Sequence, residues 1–320
     1  MAEPAPHWAL PRDCGAADEH GDLARDWPHL EHSRFLVTPR VRWHVQVAGE
    51  GPTVLLLHGT GSSSHSWRAL MPLLATRLRV IAPDLPGHGA SLVADHAQLS
   101  LPGMVDNLRE LLGMLAAEPA LIVGHSAGAA IAVQMALAGR SSARGIVSVN
   151  GALLPFGGVA AHLFSPAAKL LARSAWAARA FAWRARQPGV VDRLLASTGS
   201  TLDAEGAGLY ARLACDPRHV AAALGMMAQW DLDTLARQLP RLTVPLDLVV
   251  GSRDAMVPPE QAERVAGRVA GARVTGLIGL GHLAHEEDPA AVARIIERDA
   301  AAWGVLAGGI TPRIVGGQGS

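Results

Sequence analysis

Ala120-Leu121-Ile122-Val123-Gly124-His125-Ser126-Ala127-Gly128 is the stretch on which the reading of this 320-residue chain turns. Ala120 to Val123 is an apolar run of strand length, and Gly128 to Ala138 continues as a helix. Between them lies G-x-S-x-G, with a glycine two residues either side of Ser126. So sharp a strand-to-helix turn strains its central residue, and small neighbours let adjoining backbones close in. Ser126 Oγ is thereby presented at the carboxyl edge of a sheet, where a nucleophile can be reached. The competing reading is a glycine-rich turn with a passive serine. The strand before and the helix after supply the context that the active reading requires.

Working outward, the same alternation repeats. Arg34 to Val37 and Arg42 to Val47 read as a leading antiparallel pair turned at Pro39. Strands at Val54 to Leu57, Arg79 to Ala82 and Gly145 to Val149 alternate with helices at Trp67 to Thr76, Pro102 to Ala116 and Gly128 to Ala138. Uniformly apolar strands separated by helices imply a mostly parallel sheet covered on both faces, so the fold class is α/β. From Pro155 to about Pro240 only helical patterns appear: Val159 to Leu171, Trp176 to Arg186, Val190 to Ala196, Ala204 to Ala214 and Val220 to Trp230. Strands then return at Leu246 to Val250 and Arg273 to Leu277, with helices at Pro259 to Val269 and Pro289 to Trp303. The expected organisation is an N-terminal extension (1–33), a core (34–154 and 241–306), a helical cap inserted within it (155–240) and a flexible tail (307–320).

Composition excludes several classes of function. Lys+Arg and Asp+Glu number 28 each, without long like-charge runs, so nothing marks a nucleic-acid binder. Hydrophobic residues make up 49%, yet the apolar runs are strand-sized, far short of the ~20 residues of a transmembrane helix. Met1 to His29 lacks a basic stretch followed by an apolar one, so the expectation is a cytoplasmic protein with at most peripheral membrane contact. Cys14 and Cys215 match no metal or redox spacing and read as two free thiols in a reducing compartment. No metal or organic cofactor is called for.

A serine hydroxyl needs a base, and the base needs a carboxylate to orient it. Where the nucleophile sits on such a turn, the acid and then the histidine follow it along the chain. Asp254, in Gly251-Ser252-Arg253-Asp254, and His282, in Gly279-Leu280-Gly281-His282, stand just past consecutive strands on the same edge as Ser126. His285 competes, but its neighbours Glu286, Glu287 and Asp288 point to a capping or ion-paired role. Asn150 ends a strand where an acid would also fit, and an amide cannot stabilise an imidazolium as a carboxylate does. His58 and His125 read as structural or substrate-facing, and His88 as part of a rigid turn. Two backbone N–H groups should hold the developing oxyanion. Ala127 supplies one at a helix N-terminus, and Thr60, in the loop His58-Gly59-Thr60-Gly61, supplies the other. That loop lacks the spacing of a phosphate cradle.

With HGTG, PDLPGHG, GHSAG, GSRDAMVP and GLGHLAHEEDP in this order, the chain from about Arg34 to Trp303 resembles the α/β-hydrolase superfamily. DWPHLEHSRF, NGALLPFGGVAAHLFSPAAKLLA and the stretch from TGSTLDAEGAGLYARL to MMAQWDL further resemble the BchO family, hydrolase-like accessory proteins of magnesium chelatase. That resemblance implies a photosynthetic bacterium, a role in bacteriochlorophyll or chlorophyll biosynthesis near magnesium insertion, and contact with magnesium chelatase. It names no reaction. The insertion offers Leu153, Leu154, Phe156, Leu163, Phe164, Met226, Met227 and Trp230 for a broad apolar pocket, of which Leu153, Phe156, Met226, Met227 and Trp230 are the substrate-binding candidates. About half of the set should simply pack the cap helices together.

Two functions are therefore carried forward. One is a serine hydrolase using Ser126, Asp254 and His282 on an ester or related acyl bond of a bulky apolar molecule such as a tetrapyrrole. The other is a non-catalytic accessory protein that binds or delivers porphyrin to magnesium chelatase. An intact Ser, Asp and His set favours the first, since a carrier has no need of all three.

Overall fold

The computed structural model describes residues 25–93, 95–155 and 174–307. Strands β1 (Ser33–Val37) and β2 (Val41–Ala48) form the leading antiparallel pair. They are followed by β3 (Thr53–Leu57), β4 (Arg79–Pro83), a two-residue β5 (Leu92–Val93), β6 (Leu121–His125), β7 (Ile146–Val149), β8 (Leu246–Gly251) and β9 (Arg273–Leu277). All join one sheet in the order β1-β2-β4-β3-β6-β7-β8-β9, with β5 along β2. The run from β4 to β9 is parallel.

Strand periodicity divides the core in two. Leu55, Leu57 and Ile122 face one cluster, while Val54, Leu56, Leu121 and Val123 face the other. Helices α1 (Met71–Leu74), α2 (Leu101–Met114) and α3 (Ala127–Leu137) follow β3, β5 and β6 respectively. Residues of α2 and α3 fill the first cluster, and those of α1 the second. Between β7 and β8 the described chain is helical: α4 (Ala175–Ala185), α5 (Val190–Ala196), α6 (Ala204–Ala214), α7 (Pro217–Gln229) and α8 (Leu232–Gln238). Asp203, Asp216 and Asp231 each cap the helix that follows by accepting a first-turn N–H, at 2.7, 2.8 and 3.0 Å. The chain closes with α9 (Glu260–Ala266), α10 (Ala284–Glu287) and α11 (Pro289–Ala302).

Several expectations are corrected. Trp67 to Thr76 is not one helix: a 3-10 turn at Ser64–Trp67 leads into the four-residue α1. Strand β5 and helices α8 and α10 had no sequence counterpart, being too short to display a period. Cys215 lies in a disulfide, which overturns the reading of two free thiols; Cys14 is outside the described residues. So are Phe156, Leu163, Phe164 and the helix expected over Val159 to Leu171. Among the described residues no helix is long and apolar enough to cross a membrane.

Candidate active site

Ser126 leaves β6 with φ 51° and ψ −115°, a conformation that L-residues avoid, and its N–H is held by the Val149 carbonyl at 3.0 Å. The glycines either side are sterically required. A Cβ on Gly128 would lie 2.0 Å from the Leu57 oxygen, and one on Gly124 would lie 2.4 Å from the Ala129 nitrogen. Ser126 is partly exposed between buried His125 and Ala127. Ala127 begins α3, so its N–H is one of the first-turn donors without an intrahelical acceptor.

The His58-Gly59-Thr60-Gly61 loop passes beside this turn, since a Cβ on Gly59 would sit 3.1 Å from Ser126 Cβ. His58 fixes the loop. Its Nδ1 donates to the Gly59 carbonyl and its Nε2 accepts from Leu85 N, both at 2.8 Å. Complete burial pushes the His58 pKa down to about 4, so the ring is neutral, as an acceptor at Nε2 requires. Thr60 Oγ1 donates to Met226 Sδ of α7 at 3.5 Å, joining the insertion to the same loop.

Beyond β8 and β9, His282 Nδ1 donates to Asp254 Oδ2 at 2.8 Å. The other donors to Asp254 are Asn150 Nδ2 at 2.7 Å and the N–H groups of Met256 and Val257 at 2.8 and 2.9 Å. The carboxylate plane is thus fixed on every side. His125 Nε2 donates to the His282 carbonyl at 2.9 Å, and the two rings lie 4.8 Å apart. Asp254 and His282 are therefore joined directly, while Ser126 is tied to them through its neighbour; among the described residues no hydrogen bond runs from Ser126 Oγ to His282. Such contacts often tighten only when substrate is bound.

Residues 54–295 match the Alpha/beta hydrolase family. The chain belongs to that family. It is 38% identical over 266 residues to the magnesium-chelatase 30 kDa subunit of Rhodobacter capsulatus, across 82% of this chain and 93% of that protein. It is also 27% identical over 220 residues to the pimeloyl-[acyl-carrier protein] methyl ester esterase of Aeromonas hydrophila, across 67% and 75%. Among solved structures, a thermophilic esterase from Thermogutta terrifontis superposes with a TM-score of 0.66 at 26% identity, covering 85% of this chain and 98% of its own.

Within this hydrolase frame the remaining histidines fall into place. His285 is fully buried between His125 and Trp67, with ring centroids at 4.4 and 4.5 Å, and its Nε2 meets Ser66 Oγ at 3.3 Å. Burial, with His282 and Arg68 nearby, pushes its pKa down to about 3, so the capping or ion-paired role expected for it is replaced by packing of a neutral ring. Burial likewise depresses His125 and His88. His88 stays within its turn, Nδ1 meeting the Pro86 carbonyl at 3.2 Å.

Sequence reasoning missed a clamp. Thr198-Gly199-Ser200, between α5 and α6, wedges between the loops that carry Asp254 and His282. The Thr198 carbonyl accepts from Ala255 N and His282 N, each at 3.2 Å, and Ser200 Oγ accepts from Leu283 N at 2.8 Å. Gly199 takes φ +81°, and a Cβ there would lie 1.9 Å from the Arg253 oxygen. Glu287 holds the other side of the loop through Gly281 N at 2.7 Å. The Thr-Gly-Ser step was the visible signal. Of the apolar candidates, Leu153, Met226 and Trp230 are buried in the main core cluster, and Met227 is partly exposed. An open cleft of about 400 Å³ lies instead between Gly87, Leu92, Arg179, Arg218 and Ala222, and Ser126 does not line it. Among the described residues no three His, Cys, Asp or Glu side chains are grouped to hold a metal.

Proposed function

We propose that this α/β-hydrolase is a serine hydrolase that cleaves an ester or related acyl bond of a bulky apolar molecule, in bacteriochlorophyll or chlorophyll biosynthesis near magnesium insertion. The observation that carries the reading is the Asp254 to His282 hydrogen bond, bound through His125 to the strained turn of Ser126. With Nδ1 engaged by Asp254, His282 accepts the hydroxyl proton at Nε2 as Ser126 Oγ adds to the carbonyl carbon. Asp254 stabilises the imidazolium, and the N–H groups of Thr60 and Ala127 hold the oxyanion. Collapse of the tetrahedral adduct expels the alcohol, which takes the proton from His282. Water, deprotonated by His282, then releases the acid and restores Ser126. An ester fits better than an epoxide or halide, because a nucleophilic aspartate is absent from the turn. The helical insertion serves as the cap, with Met226 against Thr60 bringing it to the reacting carbonyl.

The likeness to a magnesium-chelatase subunit supports a second reading, an accessory protein that presents porphyrin to the chelatase with Ser126 idle. A fluorophosphonate probe separates the two. Labelling of the wild type and none of Ser126→Ala supports catalysis, and tetrapyrroles accumulating alike in a deletion strain and in Ser126→Ala would identify the substrate. No labelling of either would sink the serine-hydrolase reading.

A further inference from the structure

Helix α4 is built inside out. Its buried positions are Ala178, Ala182 and Ala185, whose small side chains let the helix lie close on its neighbours. The large apolar residues point away: Trp176 is 79% exposed and Trp183 is 62% exposed. Seven residues apart, they sit two turns along one stripe, roughly 10 Å from each other, on the side opposite the alanines. Exposed Arg179 and Arg184 flank that stripe. Phe181 adds an edge at 43%, and Leu194 of α5 is 48% exposed beside Arg193. Residues 174–200 contain Arg179, Arg184, Arg186 and Arg193 against Asp192 alone, while the whole chain is neutral. Two solvent-facing tryptophans on one stripe beside arginines form an exposed apolar patch that no described residue covers, the kind of surface that marks a contact.

We propose that the outer face of α4 and the start of α5 is a docking surface for an anionic lipid bilayer. Tryptophan suits the boundary between headgroups and acyl chains, having an apolar ring body and a polar N–H. Arginines beside it reach lipid phosphates while their stems lie along the apolar zone. Charge selects this occupant over a second copy of the chain, because a two-fold contact through the face would set its arginines against their own equivalents. The open cleft beside the helix is lined by Arg179 but by neither tryptophan, so the tryptophan stripe faces away from the groove that could receive a peptide. This surface is independent of the chemistry assigned to Ser126.

The test is flotation of the full chain with phosphatidylcholine vesicles, with and without about one-third phosphatidylglycerol. Wild type should float with the anionic vesicles, stay behind with the neutral ones, and be released by about 1 M salt, where the screening length falls to ~3 Å. Trp176→Ser/Trp183→Ser should lower binding about 10-fold or more. Arg179→Gln/Arg184→Gln should lower it about 30-fold, at roughly fivefold per charge. Both pairs are exposed, so unchanged melting curves and unchanged fluorophosphonate labelling should accompany the loss. Equal flotation with both vesicle types, or a tryptophan variant that floats like the wild type, would overturn the proposal. So would a wild-type dimer that the tryptophan substitutions convert to monomer.

Discussion

Replacing Asp254 by asparagine tests the proposed chemistry most sharply, because every hydrogen bond to this side chain is a donation into it. Oδ1 receives Met256 N and Val257 N, and Oδ2 receives His282 Nδ1 and Asn150 Nδ2. An amide has one accepting oxygen. Kept toward the two backbone N–H groups, it turns its NH₂ on His282, whose Nδ1 must then become the acceptor. The proton moves to Nε2, and the nitrogen meant to receive the Ser126 proton already carries one. Loss of the correct tautomer and of the carboxylate costs ~10⁴ in kcat in comparable sites, about 5 kcal/mol of transition-state stabilisation. Asn150 can adapt, since its buried Oδ1 has no hydrogen-bond partner among the described residues and a flip of its amide would meet the new NH₂. The variant should therefore fold, with hydrolysis of a short p-nitrophenyl ester as the assay and circular dichroism as the control. Adding Asn150→Asp should not restore the rate unless His282 turns toward the neighbouring strand. Undiminished activity in Asp254→Asn would show that another residue is the acid.

Ser126→Ala should remove ~10⁴- to 10⁶-fold of kcat on the same ester and abolish fluorophosphonate labelling, and a near-normal rate would dismiss Ser126 as the nucleophile. Gly128→Ala should fail to accumulate as folded protein, because its Cβ would meet the Leu57 oxygen at 2.0 Å; a normal melting curve would contradict that packing. Met227→Ala should weaken a large planar ligand about 5- to 150-fold, from ~1 to 3 kcal/mol of lost burial, while labelling of Ser126 survives. Fluorescence quenching by a porphyrin reads this directly, and unchanged affinity would place the pocket elsewhere. Burial holds His58 and His285 at about 4 and about 3, below their ordinary 6.5. As pH falls below 6.5 the unfolded chain takes up these protons first, so stability should drop between pH 6.5 and pH 3. Urea titrations showing equal stability at pH 7 and pH 5 would contradict neutral, buried rings.

What the sequence determined is what depends on neighbours along the chain. The apolar runs of β3, β6 and β7 and the helices between them are local patterns, and a parallel sheet follows from them by general rules of burial and handedness. Gly124 and Gly128 could be read as essential because a turn of that sharpness admits no side chain beside it. Asp254 and His282 were within reach for the same reason: each stands just past a strand, and parallel strands deliver all such positions to one edge. The tertiary structure decided whatever depends on which surfaces meet. Thr198 and Gly199 lie more than fifty residues from Asp254 in sequence, so no local pattern revealed that they wedge its loop against that of His282. Asn150 looked like a rival to Asp254 and is its hydrogen-bond donor, a relation set by the separation of β7 from β8. His285 stands among acids in sequence, yet packs against His125 and Trp67, because α10 turns it inward. Helix α4 shows the limit most plainly: its period marks a helix, but apolar size would put the tryptophans inside. Close approach to neighbouring helices admits only the alanines, and that packing leaves Trp176 and Trp183 facing outward.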